Sequence, residues 1–209
     1  VCIIEFQHLV ILGEFCYSKT IMANKFKIEL SGRIERLPDY LLGQLNALKL
    51  ELRQKGKDII DLGMGNPDKP TPKHIVEKLC QAVSDPRNHR YSVSRGVFNL
   101  RKAVSYYKKY NVSLDPADEV VAVIGTKEGL SHLSLALLGS GDTALVPTPA
   151  FPIHIYGVVL AGANVISIPL LEGEEFINYI KKSIGSFYPK PKVLLLNYPN
   201  NPTTKVVDL

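Results

Sequence analysis

Between Tyr40 and Lys55 the apolar residues Leu41, Leu42, Leu45, Leu48 and Leu52 recur at helical spacing, and Gly56 follows as a stop signal. This predicts an entry helix. Asp58 to Leu62 is a short extended segment, and Gly63-Met64-Gly65-Asn66-Pro67-Asp68 is an irregular Gly/Pro loop. Pro72 to Ser84 predicts a second helix, with Pro72 in its first turn and Ile75, Val76, Leu79 and Val83 facing inward. Gly96 to Tyr110 predicts a third, with Leu100, Val104 and Tyr107 on one face.

Beyond Asn111 the period changes. Val120 to Ile124 is an unbroken apolar run of the kind that suits a strand buried on both faces. Ala144 to Val146, Val165 to Ile168 and Val193 to Leu196 supply three more strands. Helices are expected near Lys127 to Leu138, Pro152 to Ala161 and Glu174 to Ile184. Strand and helix alternation of this kind predicts βαβ units, hence an α/β domain with four strands in a parallel sheet. There is no internal repeat and no low-complexity linker.

Composition narrows the class without identifying it. At 209 residues, 45% hydrophobic and 22% charged, the chain can bury a real core. Its net charge of +5 is scattered, the densest pairs being Lys108-Lys109 and Lys181-Lys182, so no phosphate-tracking face is expected and nucleic acid is not a predicted partner. Cys2, Cys16 and Cys80 are odd in number and widely spaced, which fits neither a disulfide framework nor a zinc site and points to a reducing cytoplasm. The five histidines form no His-x-x-x-His pair, and no metal is expected. The longest uncharged run near the N-terminus, Phe6 to Gly13, is too short to span a bilayer, and no membrane association is expected. Residues 1–21 read as an extension upstream of a natural start at Met22. An N-terminal peptide beginning before Met22 would refute that.

Three loops carry candidate chemistry, each following a predicted strand at its carboxyl end, where open α/β sheets bind ligands. Gly125-Thr126-Lys127-Glu128-Gly129 opens a helix whose unpaired N–H groups can hold a phosphate dianion; strand-to-helix turns use the same residues structurally. In Pro147-Thr148-Pro149-Ala150-Phe151-Pro152 the prolines rigidify a turn that can hold the Phe151 ring against a flat heteroaromatic, though a core phenylalanine fits the string too. Asn197-Tyr198-Pro199-Asn200-Asn201-Pro202-Thr203 places Asn201 where its amide can donate to a ring oxygen.

Together with Asp61-Leu62-Gly63-Met64-Gly65-Asn66-Pro67-Asp68, Tyr91-Ser92-Val93-Ser94-Arg95-Gly96 and Ala150-Phe151-Pro152-Ile153-His154, these loops occur in the order and spacing of the class I/II aminotransferases, pyridoxal-phosphate enzymes of fold type I. The resemblance runs from about Lys25 to the end. Pro72 to Cys80 and Phe151 to Gly157 are most similar to the bacterial glutamate–pyruvate (alanine) subgroup, with LL-diaminopimelate and aspartate enzymes as near relatives. The resemblance implies an N-terminal arm and entry helix over 22–70 and the N-terminal part of the cofactor-binding large domain over 71–209. It implies pyridoxal 5′-phosphate as cofactor, held by the amides of Thr126 and Lys127, by Phe151 stacking on the ring and by Asn201 at the ring's 3′ oxygen. Tyr91 would reach the phosphate of the neighbouring subunit in a homodimer. Gly65 would offer its N–H to the substrate carboxylate, Asn201 would contact the substrate as well as the ring, and Tyr40 would line the substrate entrance. Two departures stand out: Thr204 where many relatives have Gly, and Phe151 where the nearest usually have Tyr.

The implied reaction is amino-group transfer between an amino acid, alanine or glutamate, and a 2-oxo acid. Its Schiff-base lysine, pyridinium-pairing aspartate and substrate-clamping arginine lie downstream of the Asn-Pro-Thr loop in the family, so this stretch alone is expected to be inactive. Strands five to seven of the family's seven-stranded sheet separate the first from the fourth, so four strands alone are expected to leave a gap with unpaired edges and a poorly soluble polypeptide. The alternatives are a non-catalytic remnant or interaction module that keeps the dimer surface, and a phosphate-binding module of another family.

Overall fold

A computed structural model describes residues 29–63, 65, 67–107 and 111–207. The expected extension over 1–21, the first residues of the arm, and Met64 and Asn66 of the glycine loop lie outside the described residues. The chain divides into two units: one holds Pro38–Ser84, the other Gly32–Leu37 and Asp85–Leu209.

In the first unit, helix α2 spans Leu41–Gln54 and α3 spans Lys73–Val83. Gly56 adopts φ 74°, which closes α2 in the left-handed region as its sequence position predicts. Lys49 Nζ meets Asp61 Oδ2 at 2.7 Å, tying α2 to the extended segment after it, and Gly63 N–H donates to Asp61 Oδ1 at 2.9 Å. The Lys49 hydrogen bond, then the Gly63 amide, holds the Asp61 carboxyl below its ordinary range. Pro72 caps α3 from outside rather than sitting in its first turn: its carbonyl accepts from Ile75 N–H and Val76 N–H. The stripe Ile75, Val76, Leu79 and Val83 was expected to face inward. All four residues are exposed, as are Leu41, Leu42, Leu45 and Leu48 of α2. Periodicity sets which residues share a face of a helix, whereas burial needs a covering surface, and these side chains stay exposed.

The second unit opens with the short helix α1, Gly32–Glu35. Arg33 Nη1 donates to Leu160 O and Arg36 Nη2 to Ala163 O, at 3.2 and 2.9 Å. Both guanidinium groups thus satisfy carbonyls at or just past the C-terminus of a later helix, α6 (Pro152–Leu160). Helix α4 covers Phe98–Val104 and stops six residues short of the expected Tyr110. The chain instead forms a hairpin in which strand β1, Tyr106–Tyr107, pairs antiparallel with β2, Val112–Ser113, and Leu114 N–H donates to Ser105 O at 2.7 Å. Buried Arg101 in α4 binds the carbonyls of Gly96, Pro116 and Ala117.

Three of the four expected strands form a hydrogen-bonded sheet, ordered β4-β3-β5 and parallel throughout. They are β3 (Thr143–Thr148), β4 (Asn164–Pro169) and β5 (Val193–Leu194). Val120 to Ile124 is not among them: it has no ladder partner among the described residues, and Val121, Val123 and Ile124 are exposed. A β-branched run makes a strand only where another strand is adjacent. Helix α5 (Thr126–Leu137) follows that segment, α6 joins β3 to β4, and α7 (Gly173–Ser186) joins β4 to β5. Alternation along β3 sends Ala144 to a cluster with Leu138, Val158 and Ala163, and Leu145 to one with Ile168, Phe176 and Ile180. Both faces of β3 are therefore covered, which is why its centre, Ala144 to Pro147, is continuously apolar instead of alternating. Asp142 joins the start of β3 to the approach of β5 through Lys192 at 3.1 Å.

Candidate functional site

Because the three strands are parallel, their carboxyl ends lie along one edge, and the loops leaving it are Pro149–Phe151, Leu170–Glu172 and Leu195–Asn201. Nearby, Gly125 caps α5 with φ 82°, a backbone that favours glycine. Thr126 and Lys127 occupy the first two helical positions, whose N–H groups have no intrahelical acceptor. Glu128, at the third, reaches back to the Ile124 N–H and fixes the entry of the chain into the helix. An open hollow of about 410 Å³ adjoins this turn, lined by Val123, Gly125, Thr126, Gly129 and Leu130. A Cβ on Gly129 would stand 3.2 Å from Val123 Cγ2, so the helix approaches the extended segment as closely as glycine permits.

Phe151 precedes α6, with Pro152 at its first position, and is half-buried. The Lys127 ammonium lies 5.3 Å from the Phe151 ring centroid, so the α5 N-terminus and the Phe151 turn are brought together. His154 meets the same ring edge-on at 6.0 Å and 86°. Burial pushes the His154 imidazole below the ordinary histidine pKa.

Asn201 is exposed, and the side-chain bonds of its loop are made by its neighbour. The buried Asn200 donates through Nδ2 to Pro149 O at 3.4 Å, and its Oδ1 accepts from Thr203 N–H at 3.1 Å and Thr203 Oγ1 at 2.7 Å. Asn200 N–H donates to Lys205 O and Thr204 N–H to Asn200 O, at 2.8 and 2.7 Å, which closes Asn200 to Lys205 into a compact loop. Thr204 sits at φ 59°, a left-handed conformation that glycine adopts freely and threonine rarely does. Asn200 and Lys205 were not among the residues predicted from sequence. The Asn-x-x-Thr spacing is the signal that could have found Asn200, since asparagine side chains organise turns of this length.

Thr126, Lys127, Phe151 and Asn201 thus share the second unit, with the first three around one turn. Tyr91 is in that unit too, fully exposed on a loop before α4. Tyr40 and Gly65 belong to the first unit. Tyr40 precedes α2 and is exposed, its carbonyl accepting from Gly43 N–H at 3.0 Å. Gly65 has open space where a side chain would stand. Among the described residues no cluster of His, Cys, Asp and Glu could hold a metal ion, and no helix is long and apolar enough to cross a membrane.

Comparison with known proteins gives consistent matches. The family model for aminotransferase class I and II matches residues 57–209. The chain is 52% identical over 179 residues to the glutamate-pyruvate aminotransferase AlaC of Escherichia coli, covering 85% of this chain and 43% of that protein. It is 46% identical over 184 residues to an LL-diaminopimelate aminotransferase of Dehalococcoides mccartyi, covering 87% and 47%. Among solved structures it superposes on substrate-bound BacF from Bacillus subtilis with a TM-score of 0.77 and 37% identity, over 87% of this chain and 47% of that one. A Thermus thermophilus aspartate aminotransferase double mutant gives 0.74 and 30%, over 86% and 47%. The chain spans less than half the length of these relatives.

Proposed function

We propose, from the premise that this chain belongs to the class I and II aminotransferase family, that it carries the phosphate-binding and ring-binding part of a pyridoxal-phosphate transaminase site. The observation that carries this reading is the placement of the Phe151 ring against the open N-terminus of α5, beside the hollow at Gly125 and Thr126. The residues present fit the cofactor. Helix N–H groups at Thr126 and Lys127 suit a phosphate dianion, an aromatic face at Phe151 suits a pyridine ring, and the Asn201 amide suits the 3′ oxygen. When bound, the cofactor supplies the carbonyl that accepts the amine and the ring that withdraws electrons. The chain's own contribution is to anchor the phosphate, fix the ring plane through Phe151 and polarise the ring oxygen through Asn201.

Gly65 and Tyr40 are assigned to the substrate side, and Tyr91 to the phosphate of a second subunit in a homodimer. The reaction is amino-group transfer between an amino acid and a 2-oxo acid, with alanine and glutamate as the amino acids, in a cytoplasmic protein. The glutamate-pyruvate specificity of the AlaC relative supports that choice. Calorimetric titration with pyridoxal phosphate and with inorganic phosphate tests the reading. Phe151→Ala and Asn201→Ala are expected to weaken pyridoxal phosphate about tenfold, the loss of one aromatic face or one hydrogen bond to a charged group, and to leave inorganic phosphate unchanged. Equal affinity in the variants and the parent chain overturns it.

A further inference from the structure

Asn201 to Thr204 are all exposed, and among the described residues no side-chain hydrogen bond of Asn201 holds it in place. Its direction therefore depends on how the loop from Asn200 to Lys205 is fastened at its two ends. The Asn200 end is fastened by one side-chain bond to Pro149 O, at a long 3.4 Å. The Lys205 end is fastened more firmly. Lys205 Nζ donates to Leu170 O at 3.2 Å and to Leu171 O at 3.1 Å, and pairs with Glu172 Oε1 at 3.0 Å. Two of the ammonium's three donors thus go to backbone carbonyls, and Glu172 adds an ion pair. The Lys205 side chain is 21% exposed against 83% for Glu172, so the carbonyl bonds to the turn after β4 are the sheltered part of this anchor.

We infer that Lys205 is a positioning residue: it straps the loop to the turn between β4 and α7 and so aims Asn201 at the cofactor ring. Its main chain is bonded to Asn200, next to Asn201, and its side chain is bonded to the sheet edge. The strap thus spans the carboxyl ends of two strands and passes its restraint to the exposed asparagine through a single closed loop. This rests on the reading of Asn201 as the contact to the 3′ oxygen.

The test pairs two probes with three variants of the chain. The probes are pyridoxal phosphate and its 3-deoxy analogue, which lacks the oxygen that Asn201 is assigned. The parent chain is expected to prefer pyridoxal phosphate about tenfold, as one hydrogen bond to a charged group allows, and Asn201→Ala to abolish that preference. Lys205→Met, which keeps the apolar stem, is expected to reduce the preference to within about twofold while binding the deoxy analogue as the parent does. Glu172→Gln is expected to keep the preference, because both carbonyl bonds survive. A merely structural lysine would weaken both probes alike and leave their ratio intact, and that result overturns the inference. If Asn201→Ala itself keeps the preference, the assignment of Asn201 is what has failed. Should Lys205→Met lose cooperative unfolding, Lys205→Arg reads the same question: a guanidinium that rebinds the carbonyls restores the ratio, and one that binds normally with the strap broken refutes the role.

Discussion

Gly96 offers the sharpest test of how the second unit is put together. It has φ 87°, and a Cβ built on it would fall 2.3 Å from Ala122 Cβ and 3.4 Å from Ala122 Cα. Two methyl carbons in contact need about 3.5 to 4 Å, and neither can rotate away, so Gly96→Ala must displace backbone. The left-handed conformation costs a non-glycine residue about 1–2 kcal/mol, and overpacking adds about 1–3 kcal/mol. The expected loss is therefore about 2–5 kcal/mol, a large part of the roughly 5–15 kcal/mol that stabilises a domain. The displacement also strains the Ala122 N–H to Arg95 O bond of 3.0 Å and the Arg101 bond to Gly96 O. Guanidinium denaturation followed by circular dichroism measures the loss. Adding Ala122→Gly to Gly96→Ala removes the clash but not the φ strain, so the double variant is expected to recover about 1–3 kcal/mol. A single variant within about 0.5 kcal/mol of the parent, or a double variant no better than the single, would refute the reasoning.

Thr204→Gly relieves a left-handed threonine and is expected to stabilise the chain by about 1 kcal/mol in the same denaturation assay, with no gain expected if the loop has a different backbone. The His154 imidazole is held below 6.5 by burial, so the fold favours its neutral form. Its contribution is complete above about pH 6.5 and declines as pH falls through the folded-state pKa; proton NMR should show the depressed titration, and His154→Gln should flatten the stability profile there. Lys192, then the Gly139 N–H, lowers the Asp142 carboxyl below its ordinary value of 3.8. That contribution is present above the unfolded-state pKa and is lost as pH falls through the folded one, so Lys192→Met should narrow the acid-side stability range. An unchanged acid midpoint would show that the pair across β3 and β5 contributes nothing measurable.

What the sequence disclosed was whatever depends on neighbours in the chain. Ala144 to Val146 and Val165 to Ile168 announce strands because they are short apolar and β-branched runs, and the observed strands extend them by only one or two residues at each end. The helix-start turn at Gly125, the proline-flanked Phe151 and the family resemblance were legible for the same reason. Features decided by distant segments were hidden. Val120 to Ile124 has strand composition but no ladder partner among the described residues, and the helix after Gly96 is cut short by Leu114 bonding back to Ser105. Leu79 and Leu48 kept their helical spacing and still face outward, because spacing orients a side chain without supplying a surface to cover it. In the site, Asn200 reaches Pro149 across 51 positions and Lys205 reaches Leu170 across 35. No local pattern encodes either contact.

The loop that presents Asn201 also determines how that residue ages. An exposed asparagine ordinarily deamidates when the next residue's amide nitrogen attacks its side-chain carbonyl carbon. Pro202 has no N–H, so Asn201 lacks that internal nucleophile. Asn200 does precede an N–H, but its carboxamide is clamped by Thr203 and Pro149, which holds it out of the cyclising pose. The loop's sequence and bonds therefore protect its two adjacent asparagines from this route of deamidation, one by the absence of an attacking atom and the other by immobilisation.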